Sequence, residues 1–236
     1  MRPLVILPTY NERENLPRLA EALLRIDGLR VMVVDDHSPD GTAEIADRLA
    51  AASSDRLTVL HRSGARGFGL SYRDGMRRAL AGDATHIFQM DADFSHDPAD
   101  VPRLLAAAER ADLVIGSRYV TGGAVQNWPM HRRVLSASAN WYVRAVTRLP
   151  VHDCTSGFRC WRRELLVRLP LDRMTSNGYA FQVEMAWEAA RVGGSVAEVP
   201  ITFVERAAGV SKMSGAVVAE AIRLPWRLIA RQRVGR

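Results

Sequence analysis

Lysine is almost absent from this sequence, and its scarcity limits what the positive charge can indicate. Lys212 is the only lysine among 32 lysine and arginine residues, and the formal net charge is +6 with an isoelectric point near 10.0. Arginine favours bidentate contact with phosphate, so nucleic acid, anionic lipid and nucleotide sugars would all suit this charge. A genomic bias toward arginine would give the same excess. The charge alone therefore does not choose among these partners.

Long apolar runs and cysteines are scarce as well. No run approaches the roughly 18 residues that cross a bilayer, and the segment 4–7 stops at Pro8, too short for the apolar region of a signal peptide. Cys154 and Cys160 form neither a Cys-x-x-Cys pair nor a metal-binding set. We therefore expect a protein of the cytoplasm, a reducing compartment in which a disulfide is not expected.

The first half of the chain alternates short apolar runs with amphipathic stretches. This alternation predicts an α/β fold with a largely parallel sheet that helices cover on both faces. Ligands of such sheets bind at the carboxyl ends of the strands. We expect strands at about 3–8, 30–34, 57–60, 85–89 and 112–116, and helices at about 14–26, 42–52, 70–81 and 98–109.

The second half is less regular. We expect a helix at about 130–149, a turn or short strand at 155–159, a helix at about 178–192, a strand at about 195–204, a mobile loop at 205–214 and a terminal helix at about 214–233. There is no repeat, low-complexity segment or linker. We therefore expect one domain over 1–236, with a nucleotide-sugar half at about 1–116 and an acceptor half at about 117–214.

Two aspartates, Asp91 and Asp93, follow the strand expected at 85–89. Carboxylates one residue apart at a strand end make an open site for Mg²⁺ or Mn²⁺, which usually share their remaining positions with water and a substrate's phosphates. The alternative is a polar turn in which Asp97 and Pro98 begin the next helix. Asp36, after the strand at 30–34, falls at the same edge of the sheet, which favours a nucleotide diphosphate site.

Further polar residues follow the first strand. Pro8, Tyr10 and Glu12 could pack against and hydrogen-bond a base and ribose, and Asp36 could accept from a base N–H or a ribose hydroxyl. Each also has a structural alternative nearby, since Asn11 and other polar residues of these loops suit turns and helix caps. Their recurrence after successive strands favours a ligand site.

Several motifs resemble known glycosyltransferases. Three motifs resemble those of family 2 glycosyltransferases of the GT-A fold. They are Pro-Thr-Tyr-Asn-Glu at 8–12, Val-Asp-Asp-x-Ser-Pro-Asp-Gly-Thr at 34–42 and Asp-Ala-Asp-x-Ser-His at 91–96. Four later segments narrow the resemblance to dolichol-phosphate (polyprenol-phosphate) mannose synthases, and the resemblance then covers nearly the whole chain. These segments are 116–123, 153–159, 178–184 and 211–214. The first three motifs are shared by many sugar transferases, whereas the later set is far more specific.

The resemblance implies transfer of mannose from GDP-mannose to a polyprenyl phosphate with inversion. The acceptor is already anionic at neutral pH, so no general base is needed to generate a nucleophile, unlike transfer to a hydroxyl group. Catalysis would then depend on positioning and on neutralising charge on both phosphates, with Mg²⁺ or Mn²⁺ on the donor.

The resemblance also implies roles for individual residues. Metal would be held by Asp91 and Asp93, with Ser95 at the position where the family often has Gln, so a third protein ligand stays open. Arg118, Arg132 and Ser136 would grip the acceptor phosphate and steady the leaving diphosphate. Arg206 and Lys212 would lie on a loop that closes over the donor. The donor contacts would be Pro8, Tyr10, Glu12, Val34, Asp36, Asp91, Ala92 and Asp93.

A lipid acceptor requires contact with a bilayer. Arg223, Arg227 and Arg231 recur every four residues and so stripe one helical face, while Trp226 suits a membrane interface and Pro225 interrupts the helix. We expect peripheral contact with the cytoplasmic face of the membrane through this helix and the segment 130–148. The alternatives are a packed helix with a solvated arginine face, and anchoring by a partner protein.

Other functions remain open at this stage. Transfer of glucose or another sugar to the same lipid differs only in pocket contacts, and a weakly catalytic sugar-nucleotide-binding subunit of a membrane complex would share the fold. Intact Asp91, Asp93, Arg118 and Arg132 argue against the second. A nucleic-acid-binding module is disfavoured because no recognition-helix, zinc or aromatic RNA-binding signature is present, so we expect no nucleic-acid partner.

Overall fold

A mostly parallel sheet forms the centre of the molecule. The computed structural model describes residues 1–174, 176, 178–205 and 215–234. Within them, seven strands join in the order β3-β2-β1-β4-β7-β5-β8, and every neighbouring pair is parallel except those of β7. The two strands β6 and β9 form a separate parallel pair. The bounds are β1 Pro3–Thr9, β2 Arg30–Asp35, β3 Leu57–His61, β4 His86–Gln89, β5 Leu113–Ser117, β6 Ala124–Gln126, β7 Arg159–Arg162, β8 Val196–Pro200 and β9 Thr202–Val204.

Helices cover both faces of this sheet, as predicted. Side chains alternate between the faces along β1: Ile6 packs in one apolar cluster, whereas Val5 and Leu7 pack in the other. The α/β fold predicted from the alternation of elements is therefore confirmed. The helices are α1 Leu16–Leu24, α2 Thr42–Ala52, α3 Phe68–Ala81, α4 Val101–Ala107, α5 Met130–Thr147, α6 Arg163–Leu166, α7 Gly178–Arg191 and α8 Gly215–Val234.

Strand β7 is the main departure from the predicted fold. The sequence interpretation ended a turn or short strand at Arg159, but the strand begins there and lies between β4 and β5, antiparallel to both. Because β7 runs in the opposite direction, the turn before it lies at the carboxyl ends of its neighbours. Segment 155–157 therefore reaches the edge of the sheet where β4 delivers Asp91.

The strand expected at 195–204 is divided into two. Strand β8 ends at Pro200, which has no N–H to donate, and Ile201 then packs into the core before β9 pairs with β6. The backbone N–H of Val204 donates to the carbonyl of Ser95 over 3.2 Å. This division brings the end of β9 next to the Asp91–Ser95 turn.

Helix α8 continues through Pro225, so the predicted interruption is wrong. Leu224 and Leu228 are buried, and Arg231 donates from Nη1 to Oε1 of the buried Glu184 on α7 over 2.6 Å. The expected arginine stripe is present, because the residues at 223, 227 and 231 are all exposed. Arg231 additionally pairs with Glu184, a contact that the spacing did not predict.

Candidate active site

Two carboxylates follow the end of β4, at the edge of the sheet where the sequence predicts a ligand. Asp91 and Asp93 line one small pocket with Arg118, which directly follows β5, and Arg132 from α5. Three separate segments thus bring together the acidic and basic side chains that were predicted for metal and phosphate. The remaining lining residues are Ser95, His96, Trp128, Thr155, Gly157, Tyr179, Phe203 and Glu205.

Asp91 is positioned by groups from two other elements. The hydroxyl of Tyr72 on α3 donates to Oδ1 over 3.2 Å. Burial of Tyr72 and the nearby charge of Asp91 raise the pKa of its phenol well above the ordinary value, which keeps it a donor. On the other side, a Cβ at Gly157 would lie 3.1 Å from Oδ2 of Asp91, so the turn before β7 approaches the carboxylate closely only because it carries glycine.

The turn that holds Asp93 and Ser95 is strained. Phe94 has a φ of 58°, in the left-handed region that bulky side chains rarely adopt. The backbone N–H of Ser95 donates to Oδ1 of Asp93 over 3.0 Å, and Ser95 is 2% exposed. This geometry fixes the second carboxylate relative to the first.

The pocket fits a hard divalent cation. Asp91 and Asp93 offer carboxylate oxygens, and Mg²⁺ or Mn²⁺ commonly takes only one or two carboxylates from the protein. His96 is 1% exposed, both its ring nitrogens lack hydrogen-bond partners within the described residues, and Nε2 lies 3.6 Å from Oδ2 of Asp91. Such a polar gap beside a carboxylate suits a bound cation or water. No group of three or more His, Cys, Asp or Glu side chains is arranged to hold a metal in the described part of the chain.

Arg118 is held by a buried carboxylate that sequence reasoning left without a role. Its Nε and Nη2 donate to Oδ2 and Oδ1 of Asp153 over 2.7 Å each, and Nη2 also donates to Oγ1 of Thr155 over 2.7 Å. Burial opposes ionisation of Asp153, but the charge of Arg118 and the hydrogen bonds from Arg118 and Thr155 together outweigh it and lower the pKa of the carboxyl group. Asp153 therefore remains charged and fixes the orientation of Arg118. The 153–159 motif was the available signal for this partner.

Arg132 lies against an aromatic ring and an acid. Its guanidinium carbon is 4.2 Å from the ring centroid of Trp128, and its Nη1 pairs with Oε1 of Glu205. Ser136, one helical turn further on, accepts a hydrogen bond of 2.7 Å from the hydroxyl of Tyr119. Trp128 and Glu205 were not predicted as site residues, and neither falls in a quoted motif.

The predicted donor residues lie along the neighbouring strand ends rather than in the pocket itself. Pro8 and Val34 are paired in register on β1 and β2, and β1 adjoins β4. Asp36 forms a buried ion pair with Arg62 and accepts the N–H of Gly67 over 2.8 Å, so it already has protein partners. The guanidinium carbon of Arg66 is 4.5 Å from the ring centroid of Tyr10. Glu12 follows Tyr10 in the same loop, and Ala92 lies between the two aspartates.

Two predicted site residues, Arg206 and Lys212, lie outside the described residues, together with most of the loop expected at 205–214. Glu205 is the last residue described before it.

Comparisons with known proteins agree with this arrangement. The glycosyl transferase family 2 model matches residues 4–169. The polyprenol monophosphomannose synthase of Mycolicibacterium smegmatis is 49% identical over 94% of this chain and 84% of its own length. The undecaprenyl-phosphate mannosyltransferase of Micrococcus luteus is 47% identical over 98% and 96%, respectively. The predicted resemblance is therefore confirmed.

A solved structure supports the fold. The glucosyl-3-phosphoglycerate synthase of Mycobacterium tuberculosis, crystallised with Mn²⁺, UDP and glucosyl-3-phosphoglycerate, superposes with a TM-score of 0.67 at 20% identity, covering 97% of this chain and 79% of that one. It shares the GT-A arrangement of a mostly parallel sheet between helices. The extent of the family match and the identity of both relatives show that this chain belongs to glycosyl transferase family 2.

Proposed function

We propose that this enzyme transfers mannose from GDP-mannose to a polyprenyl monophosphate, with inversion and with the help of Mg²⁺ or Mn²⁺. The observation that carries the proposal is the meeting of Asp91 and Asp93 with Arg118 and Arg132 in one pocket. Such a pocket places carboxylates suited to a cation beside guanidinium groups suited to phosphate. One relative described above is named for the synthesis of polyprenol monophosphomannose and the other for mannosyl transfer with undecaprenyl phosphate.

Asp91 and Asp93 would hold the cation, with Ser95 on the same turn. When bound, the cation would neutralise the diphosphate as it leaves. The hydroxyl of Tyr72 and the close approach of Gly157 keep Asp91 in place before substrate arrives. This preorganisation lowers the reorganisation required at the moment of transfer. The glucosyl-3-phosphoglycerate synthase crystallised with Mn²⁺ is consistent with a divalent ion at this edge.

Arg118 and Arg132 would bind the acceptor phosphate, with Ser136 beside them on α5. A phosphate monoester carries its own negative charge, so the site needs no general base. The arginines would hold it in line with the anomeric carbon and offset its charge. Asp153 balances the charge of Arg118 without occupying the whole guanidinium, and Glu205 balances that of Arg132.

The donor would extend from the pocket along the ends of β1 and β2. Pro8, Tyr10 and Glu12 would contact the base and ribose, with Val34 and Ala92 forming the floor. Asp36 would contact the base or ribose while it remains ion-paired with Arg62. Arg206 and Lys212 would close over the bound donor.

The enzyme would act at the cytoplasmic face of a membrane as one catalytic domain over 1–236. Within the described residues, no helix has both the length and the apolar character of a membrane span. Met130, Val134 and Trp141 are exposed along one side of α5, and Ile222 and Trp226 are exposed on α8. These two stripes are suited to peripheral contact, to which a membrane-anchoring partner protein could add.

The proposal is tested by offering radiolabelled GDP-mannose, GDP-glucose and UDP-glucose with farnesyl phosphate, with and without Mn²⁺. We expect label in the lipid phase only from GDP-mannose and only with the ion. Asp91→Asn should abolish transfer while circular dichroism remains unchanged. If label enters the lipid phase from GDP-glucose or UDP-glucose instead, the transferred sugar is glucose and not mannose. Transfer that survives both chelation and Asp91→Asn would exclude the role given to the cation.

A further inference from the structure

The indole N–H of Trp128 is an unsatisfied donor within the active site. Trp128 is 7% exposed, lines the pocket, and its Nε1 is buried with no hydrogen-bond partner among the described residues. Indole nitrogen can only donate. Leaving such a buried donor unpaired costs about 1–3 kcal/mol. The group therefore indicates an acceptor that arrives with a ligand.

The surroundings of Trp128 specify an anionic acceptor. Arg132 lies 4.2 Å and Arg118 5.6 Å from the ring centroid, measured to the guanidinium carbons. Phe203 contacts the ring edge-on at 5.3 Å, so the ring is confined on several sides. An oxygen that reaches this donor is stabilised by two neighbouring cations. Glu205, paired with Arg132, already demonstrates that an anion is accommodated here.

We propose that the Trp128 N–H donates a hydrogen bond to a phosphoryl oxygen of a bound substrate, which makes Trp128 a third phosphate-binding residue beside Arg118 and Arg132. The inference rests on the proposed function. The oxygen belongs either to the terminal phosphate of the polyprenyl acceptor or to the diphosphate of the donor, since both present the same chemistry. A confined ring holds its N–H in a fixed direction, as preorganised binding requires.

The direct test is an NMR titration of the full-length protein carrying ¹⁵N-indole tryptophan. Farnesyl phosphate, GDP with Mg²⁺, and farnesol are added in separate arms. We expect the Trp128 indole signal, assigned by its loss in Trp128→Phe, to move downfield with a phosphate-bearing ligand and to stay in place with farnesol. The Trp161 signal is an internal control, because its N–H already bonds Gln89 over 2.7 Å.

The arm that moves the signal identifies the source of the phosphate. A response to farnesyl phosphate means that the Trp128 N–H binds the phosphate of the lipid substrate. A response to GDP means that it binds the diphosphate of the nucleotide. A signal that stays in place while both ligands are shown to bind, or one that moves equally with farnesol, overturns the inference.

Kinetics supply a second test. Trp128→Phe keeps an aromatic ring under Arg132 but lacks the N–H, so KM for the phosphate substrate identified by NMR should rise roughly tenfold or more, as expected for a lost hydrogen bond to a charged group. The matched control is Trp187→Phe. Trp187 is 5% exposed, with Arg191 5.9 Å from its ring centroid, but does not line the pocket.

The outcome is separable from that of the proposed function. If the wild-type enzyme transfers no sugar to lipid phosphate, the proposed function fails. If transfer occurs but Trp128→Phe and Trp187→Phe have equal KM values for both substrates, only the role of Trp128 fails.

Discussion

At the residue scale, the absence of a side chain at Gly157 gives Asp91 its position. Adding one methyl group would place Cβ 3.1 Å from Oδ2, closer than most carbon–oxygen contacts in proteins. Because the carboxylate also accepts a hydrogen bond of 3.2 Å from Tyr72, a shift away from the added carbon would stretch that bond. Small shifts of a catalytic group reduce rates strongly.

We therefore expect Gly157→Ala to lower transfer by roughly 10- to 100-fold and to weaken Mn²⁺ binding, measured by calorimetry with GDP present. The control is Gly82→Ala, where the added carbon would make an ordinary contact of 3.5 Å at the opposite edge of the sheet. Unchanged Mn²⁺ affinity in Gly157→Ala would show that Asp91 does not depend on this approach.

Asp153 is the second residue with a consequence beyond its own contacts. Asp153→Asn would leave the buried Arg118 cation without its counter-charge, so the free energy of unfolding should fall by about 3–5 kcal/mol at pH 7. The lowered pKa of Asp153 means that its stabilisation is complete above its ordinary pKa of 3.8 and is lost as the pH falls through the lower folded-state value.

Urea denaturation at pH 7 and near pH 3 measures this effect. The difference between wild type and Asp153→Asn should shrink on acidification. A difference that stays constant with pH would mean that the loss comes from packing rather than from charge. Asp47→Asn is a control, since Asp47 is exposed.

At the element scale, two arginines on the same face of α8 differ in their partners. Both Arg227 and Arg231 are exposed, but Arg231 also pairs with the carboxylate of Glu184, which is 1% exposed. Arg231→Ala should therefore reduce the free energy of unfolding by about 1 kcal/mol. Arg227→Ala should leave it unchanged and instead weaken flotation with anionic liposomes. Equal effects of the two changes in both measurements would contradict this division.

The elements that were predicted correctly are those with a strong periodic signal. Strand β1 is a buried apolar run that stops before a polar loop, and α3 has a long amphipathic pattern. Strand β7 was missed because Arg159 and Arg162 flank only two apolar residues, Cys160 and Trp161. Its position in the sheet depends on pairing with distant strands, which no local pattern contains.

The candidate site was predictable where its residues directly follow a predicted strand, and not where they depend on long-range pairing. Asp91 and Asp93 follow a strand, so the chain order alone places them at the ligand-binding edge. Trp128 and Glu205 enter the pocket through the small β6–β9 pair and the segment after it, which depend on long-range pairing. The ion pair of Arg231 with Glu184 was not predicted, because helical spacing does not reveal which neighbour a long side chain reaches.

At the scale of the whole molecule, positive charge and exposed aromatic residues predict how the enzyme meets a membrane. Trp141 is 70% exposed on α5 and Trp226 is 60% exposed on α8. We expect Trp141→Ala combined with Trp226→Ala to reduce flotation with anionic liposomes several-fold, because each ring would lose its contact with the bilayer interface.

Raising the ionic strength should also weaken flotation of the wild type. The formal net charge is +6, and salt screens its attraction to anionic lipid. Transfer to water-soluble farnesyl phosphate should be nearly unaffected by the double substitution, which serves as the control for folding. Full flotation of the double variant would move the membrane contact to another surface.

The antiparallel insertion of β7 also sets the order in which this chain can be completed during synthesis. β4 and β5 leave the ribosome well before β7 and have no backbone pairing with one another, so each holds an open edge until residues 159–162 arrive between them. A nascent chain that ends before residue 159 contains the two aspartates and the two arginines of the pocket but lacks the strand that joins β4 to β5. The other edge of β5 is covered later still, by β8. Chaperone contact during translation should therefore fall when β7 has emerged and fall again when β8 has emerged.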